Sequence, residues 1–368
     1  MGNNWEFSFY TDWREIEEQD FLDRWIKIMH EASSSHVFFH PSIAKAWVDA
    51  YRNKYDIDPV YVIAENDNAV IFLPLVLWKK NIKSGYIKVV VPVGYDIYDY
   101  HDPIIVGDID SLLYDSYWNE LINAIRDAKI KYDRIEINGG SRSVTCGGWK
   151  REEEVCPYTN LGAFADYVDF MDKRPVKLKR DINRRFRRYA ELGDFELYVY
   201  GKDQQKEAMD ALYGFLSVHR KRWPKSHETG VSEVVYELIL RYGLDSGVSH
   251  FSELRMNQKA MSWHFGFRYN ERFYYYMQAY EEEYIKLSPG KIHLALLYKD
   301  AFSAGDQIFD HLRGEEEYKD SWKSADRTLY EYSSNNSGLV SSVKLMASDV
   351  FRYSKESVKS GREVECYG

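Results

Sequence analysis

The stretch Ala-Met-Ser-Trp-His-Phe-Gly-Phe-Arg-Tyr-Asn-Glu-Arg-Phe-Tyr-Tyr-Tyr-Met-Gln-Ala-Tyr, residues 260–280, decides how the surrounding chain folds. Its first ten residues alternate: Met261, Trp263, Phe265, Phe267 and Tyr269 take one face, Ala260, Ser262, His264, Gly266 and Arg268 the other. That pattern predicts a half-buried strand. Asn270-Glu271 reads as a tight turn, and Arg272 to Tyr280 as an aromatic partner strand with high β propensity. Downstream, Pro289 ends any sheet, helical spacing runs from Ile292 through Phe302, and Gly305 supplies a C-cap. A final strand is expected over Gln307 to Leu312. Strand, turn, helix and strand thus follow one another.

The joint at Ser288-Pro289-Gly290-Lys291-Ile292 carries the first chemical suggestion. The opening N–H groups of a helix lack intrahelical partners and sit at the positive end of its dipole, so Ser288, Gly290, Lys291 and Ile292 are candidate phosphate ligands. An ordinary helix start, with Ser288 as N-cap and Pro289 at the first position, accounts for the same residues.

The chain has 368 residues, 45% hydrophobic and 29% charged, which favours two domains or two similar halves. A net charge of −9 argues against general binding to nucleic acid or to an anionic membrane, although local basic patches are compatible with it. The acidic, aromatic start resembles no export signal, and no apolar run is long enough to span a bilayer. A cytoplasmic protein without membrane insertion is expected. Cys146, Cys156 and Cys366 are too scattered for a disulfide framework or a zinc site, so no metal is expected.

In chain order, helices are predicted over Asp20 to Met29 and from Pro41, strands over Val60 to Ala64, Ala69 to Trp78 and Ile87 to Val93, a helix over Ser111 to Ala128 and a strand at Arg134 to Ile137. A helix from Gln205 to His219 and the strands at Ser249 to Arg255, 260–269 and 273–280 repeat this order. The duplication implies an α/β protein of two tandem halves, each a mixed sheet flanked by helices. The expected division is 1–160, a connecting segment 161–204, 205–332, and a tail 333–368 of linker and short helix. Within the connector, Leu178, Ile182 and Phe186 form one stripe of a basic helix, with Pro175 fixing its start and Gly193 its end. Its arginines suit solvent, a nucleic-acid contact or the phosphates of a small ligand, and the acidic remainder of the chain favours the small ligand over nucleic acid.

Phe38 to Tyr51, Leu178 to Gly193, Leu212 to Trp223, Ser288-Pro289-Gly290 and Phe309-Asp310-His311-Leu312-Arg313-Gly314-Glu315-Glu316-Glu317-Tyr318-Lys319-Asp320-Ser321-Trp322 together resemble the double GNAT acyltransferases. These include the cellulose-biosynthesis acetyltransferase-like proteins and are distantly related to the Fem peptidoglycan aminoacyltransferases. The resemblance implies two GNAT-like halves, the second binding acyl-CoA with its diphosphate at Ser288 to Ile292. The phosphate turn departs from the family's Arg/Gln-x-x-Gly-x-Gly/Ala pattern by holding one glycine, so Lys291 or the basic helix must supply charge.

Acyl transfer to an amine needs a neutral amine, an oxyanion donor and proximity. Asp310 and His264 are the candidate bases, each with a structural role as its alternative. Gln278 is a candidate cofactor ligand. Tyr275, Arg222, Trp223 and Lys319 are candidate substrate ligands, as are Tyr98, Tyr100 and His101 in the polar aromatic loop of the first half. The substrates that the resemblance implies are acyl-CoA and an amino sugar, nucleotide-linked and destined for surface polysaccharide. A Fem-like aminoacyl-tRNA transferase and a non-catalytic scaffold of polysaccharide synthesis are the rival readings.

Overall fold

The computed structural model describes residues 5–82, 85–144, 150–222 and 231–346. Contacts divide the chain into two units, one of residues 1–35, 51–152 and 330–368, the other of residues 36–50 and 153–329. The units therefore interleave along the sequence instead of following one another as the duplicated order suggests.

In chain order the first part holds β1 (Glu6–Tyr10), α1 (Trp13–Glu17), α2 (Gln19–Glu31), α3 (Pro41–Arg52), β2 (Ile57–Glu65), β3 (Ala69–Ile82), β4 (Gly85–Pro92), β5 (Ile104–Gly107), α4 (Ser111–Asp127) and β6 (Arg134–Gly140). The remainder holds β7 (Lys150–Asn160), α5 (Tyr167–Asp172), α6 (Val176–Leu192), β8 (Phe195–Val199), α7 (Gln205–Arg222), α8 (Ser232–Ser246), β9 (Ser249–Met256), β10 (Lys259–Tyr269), β11 (Arg272–Tyr280), α9 (Pro289–Ala304), β12 (Ile308–Asp310), α10 (Glu317–Asp320) and β13 (Ala325–Asn335). The expected α/β class is observed.

The first unit is a mixed sheet in the order β1-β2-β3-β4-β6-β13, with β5 added to β3. Only β4 and β6 among these pairs run parallel. Trp25 of α2 packs edge-on to Tyr61 at 5.6 Å and tilted against Phe72 at 5.1 Å, which seats that helix on β2 and β3. Residues from Tyr330 onward pair with β6, so part of the expected tail is sheet. Residues 339–346 are helical, where a short terminal helix was expected.

The second unit orders its strands β7-β12-β11-β10-β9-β8. Its β10–β11 hairpin turns at Asn270 and Glu271, whose φ values of 51° and 54° are those of a two-residue type I′ turn. One expectation fails: β10 is buried on both faces from Met261 to Phe267 rather than on one. Phe265 meets Phe215 of α7 and Tyr236 of α8, while Ser262 on the other face hydrogen-bonds His293 of α9. Helices thus cover both sides of the strand, and its small polar face is core as well. The predicted last strand is also shorter, because β12 ends at Asp310 and Leu312 takes a left-handed φ of 59°.

A bulge interrupts the hairpin. Phe267 pairs with Tyr274 but Phe265 pairs with Met277, so β11 carries one extra residue opposite Gly266. A Cβ at Gly266 would lie 2.2 Å from the Tyr274 carbonyl oxygen and 2.4 Å from the His264 ring, which explains the glycine. Strict alternation is lost there, and Phe273, Tyr274 and Tyr275 are all buried.

Candidate active site

Strands β11 and β12 run parallel and pair over only three positions, Arg272 with Ile308, Phe273 with Phe309 and Tyr274 with Asp310. Beyond them β11 continues along β10 to Tyr280, whereas the chain after Asp310 turns away. The pair therefore splays. Tyr275 and Gln278 continue one arm, and His311 begins the other.

Phe309 stacks on Tyr298 of α9 at 3.9 Å, and His311 also reaches Tyr298, so both face that helix. Asp310, between them, points to the opposite side of the sheet. It is fully buried there, accepting the Leu312 N–H at 3.0 Å and facing guanidinium nitrogens of Arg327 at 3.4 Å and Arg272 at 3.6 Å. His264 lies on the α9 side, stacked on Tyr275 at 4.7 Å. The two candidate bases are thus on opposite faces and do not come together.

The sheet face under α9 holds an unusual set of polar groups. His293 bonds Ser262 Oγ at 2.9 Å through Nδ1 and Ser252 Oγ at 3.1 Å through Nε2. His264 is fully buried, and neither ring nitrogen has a hydrogen-bond partner. Burial, and secondarily electrostatic coupling to the neighbouring His250 and His293 rings, holds its pKa well below the usual value, and burial brings His293 to about 3. Both rings are neutral at any ordinary pH.

The hydrogen-bond chain behind His311 has only one self-consistent polarity. Thr159 Oγ1 donates to the Trp322 carbonyl at 3.0 Å, since a carbonyl can only accept. Its one proton is then used, so the Tyr298 hydroxyl must donate to Thr159 at 2.6 Å. His311 Nε2–H must in turn donate to Tyr298 at 2.8 Å. The lone pair on Nδ1 is left over, buried and without a partner. Burial, and secondarily the charge of Lys319, lower the His311 pKa to about 3. The ring is a fixed, neutral acceptor.

Around His311 the arms carry further phenols. The Tyr275 ring stands edge-on to His311 at 6.1 Å. Burial, then the charges of Tyr318 and Glu316, push the Tyr275 pKa well up, and burial, then Glu316, does the same for Tyr318. The cation of Arg222 partly offsets both shifts, which places it beside the two phenols, and its guanidinium also lies 4.8 Å from the Tyr280 ring centre. Both phenols stay protonated and can donate.

Lys319 behaves differently from expectation. Its side chain is 4% exposed, and its ammonium donates to the carbonyls of Arg313 at 2.7 Å and Gly314 at 3.2 Å while pairing with Glu316 at 2.8 Å. With these acceptors its protons hold the turn after β12. Tyr98, Tyr100 and His101 belong to the first unit, where all three are buried and His101 Nδ1 bonds the Asn138 carbonyl oxygen at 2.9 Å. Trp223 lies outside the described residues.

At the far end of β11 the start of α9 is open. Ser288 adopts a left-handed conformation, φ 53° and ψ 58°, and its side chain makes no capping bond. It is therefore not the ordinary N-cap. Gln278 reaches over Gly290, where an added Cβ would come within 2.1 Å of its amide nitrogen. Two candidate cofactor residues far apart in sequence thus meet. Lys291 Nζ lies 3.3 Å from Asp181 of α6, and Arg184 and Arg185 bind the same carboxylate at 2.7 and 3.0 Å. Burial alone raises the Asp181 pKa, but Arg185, Arg184 and Lys291 bring it down to about 2. Arg185 also donates to the Leu287 carbonyl at 3.3 Å. The basic helix therefore does reach this turn, and three cations share one carboxylate beside it. Ile292 points inward, fully buried with Leu254, Met261 and Tyr189.

Sequence reasoning overlooked His311, Tyr298, Thr159 and Tyr318. His311 lay inside the quoted 309–322 pattern, and alternation from Phe309 was the available signal.

Residues 176–320 match the family described as Acetyltransferase (GNAT) domain. No curated protein matches the chain. Among solved structures it is similar to FemX, with 10% identity over 90% of this chain and 97% of that one and a TM-score of 0.58. A conserved protein of unknown function from Bacteroides thetaiotaomicron VPI-5482 gives 13% identity over 90% of this chain and 100% of that one, TM-score 0.54. The C-terminal DUF2156 domain of a protein described as a lysylphosphatidylglycerol synthetase from Agrobacterium fabrum gives 15% identity over 89% and 96%, TM-score 0.51. At these identities the likeness is one of fold. Among the described residues no helix is long and apolar enough to cross a membrane, and no cluster of metal-binding side chains is found.

Proposed function

We propose, from the premise that a chain carrying this GNAT domain is an N-acyltransferase, that it transfers an acyl group from acyl-CoA to the amine of an amino sugar by direct attack of that amine on the thioester in a ternary complex, with no covalent acyl-enzyme intermediate. The observation that carries the reading is the splay of β11 from β12 beside an uncapped, cation-flanked helix start. The diphosphate of acyl-CoA takes the first turn of α9, with Lys291, Arg184 and Arg185 supplying charge and Gln278 moving off Gly290 to bind it. The thioester then extends into the splay.

We assign the acceptor of the amine's hydrogen to His311 Nδ1 rather than to Asp310 or His264. Asp310 faces the other side of the sheet between two arginines, and His264 is sealed in the core. With a pKa near 3, His311 does not strip a proton from an ammonium ion; it orients a neutral amine by accepting one N–H, and as the C–N bond forms the thioester C–S bond breaks and the amine's proton passes to the departing CoA thiolate. The phenols of Tyr275 and Tyr318, kept protonated, donate to the developing oxyanion. Arg222 beside them suits a phosphate of a nucleotide-linked sugar.

The test is thiol release over a panel of acyl-CoAs and amino-sugar nucleotides, repeated with His311→Ala. Release that requires the amino sugar and collapses in the variant supports the assignment. CoA binding without release on any amine would favour the scaffold, and steeply salt-dependent RNA binding the tRNA-dependent reading.

A further inference from the structure

The overall charge of −9 conceals a local excess of cations in the first unit. A cleft of about 590 Å³ is lined by Lys88, Arg126, Lys129, Lys131 and Lys344, with Asp133 as its carboxylate. That carboxylate is already engaged: it accepts from the Lys88 N–H at 2.9 Å, Ser341 Oγ at 2.6 Å and Lys344 Nζ at 3.4 Å. Among the described residues, Lys88, Arg126, Lys129 and Lys131 make no ion pair.

The helix at 339–346 forms one wall. Ser341 and Lys344 tie it to Asp133 and Leu345 is buried, while Leu339, Val340, Val343 and Met346 are 82%, 69%, 62% and 70% exposed. Those four positions fall on one side of a helix, so the apolar stripe is turned outward. Soluble surfaces scatter such residues singly; a stripe beside unpaired cations marks a contact surface.

We propose that this face seats on an anionic phospholipid surface, with lipid phosphates in the cleft and the stripe entering the boundary between headgroups and acyl chains. Charge selects this occupant. A second copy docking by two-fold symmetry would bring unpaired cations against unpaired cations, whereas an anionic leaflet neutralises them and receives the apolar side chains together.

Flotation of the full chain with vesicles of equal parts phosphatidylglycerol and phosphatidylcholine tests it. Binding is expected to exceed that to pure phosphatidylcholine by roughly thirtyfold or more and to weaken with salt. Replacing Arg126, Lys129 and Lys131 by Glu should abolish the difference with the thermal melt unchanged, and Leu339→Gln with Met346→Gln should cost about tenfold. Equal binding to both vesicle types would overturn the proposal. So would tight binding of inorganic phosphate with no vesicle binding, or a concentration-dependent dimer that the double Gln variant dissolves.

Discussion

The rim at the start of α9 and the sheet face buried beneath that helix follow opposite electrostatic rules. Near Gly290 charge is concentrated and partly hydrated, with Asp181 held ionised by Arg184, Arg185 and Lys291. Beneath α9 the rings of His264, His293 and His311 are buried and neutral. The difference teaches a division of labour: a charged rim suits a diphosphate, and a dry uncharged interior suits an amine that must attack without its proton.

Acid should separate the rim from the interior most strongly. His264, His293 and His311 have folded pKa values depressed below the unfolded value of about 6.5, so their contribution is complete above it and is lost as pH falls, for His293 and His311 toward about 3. At about 1.4 kcal/mol per unit of depression, His293 and His311 together cost on the order of 7 kcal/mol at pH 4, within the ~5–15 kcal/mol that holds a domain, and His264 acts in the same direction. Circular dichroism should show unfolding between pH 5 and 4 at unchanged salt, and a midpoint shifted down in His264→Phe. Asp181 acts only at lower pH, since its depressed pKa stabilises above about 4 and loses that effect as pH drops toward 2.

Within the neutral interior, His311→Ala should lower kcat by about 10²–10³ with little change in KM for acyl-CoA, read by thiol release. Tyr298→Phe removes the acceptor that sets the His311 tautomer and should cost about tenfold in kcat. A wild-type rate that rises with pH up to the pKa of the substrate amine would support orientation of a neutral amine; a limb near pH 3 alone would contradict it. At the rim the split reverses. Lys291→Glu with Arg185→Glu should raise KM for acyl-CoA about ten- to thirtyfold while kcat holds, and added salt should reproduce part of that loss. The smallest effect is expected from Gly290→Ala, whose Cβ displaces the Gln278 amide and should change KM by a few-fold.

Much of this was legible in the chain. The β10–β11 hairpin announced itself through alternation around Asn270-Glu271, and α9 through Pro289 and Gly305, because turn residues and period are local properties. Pro175 and Gly193 bound α6 in the same way. The strands β1, β5, β7, β8 and β13 were not anticipated, since several are short or polar and owe their pairing to neighbours distant in sequence. Lys319 looked like a ligand for the same reason: its acceptors lie in a turn whose shape the sequence does not display.

By itself the sequence determined the class of fold, the hairpin, the helix that follows it and the basic helix beside them, because hydrophobic period and helix punctuation act over a few residues. Tertiary structure alone decided which side chains share a site. The three-residue pairing of β12 turned Asp310 away and His311 inward, the Thr159–Tyr298 chain chose the tautomer, and helices on both faces of β10 made His264 part of the core. Those outcomes depend on contacts between residues far apart in the chain, which no local pattern encodes.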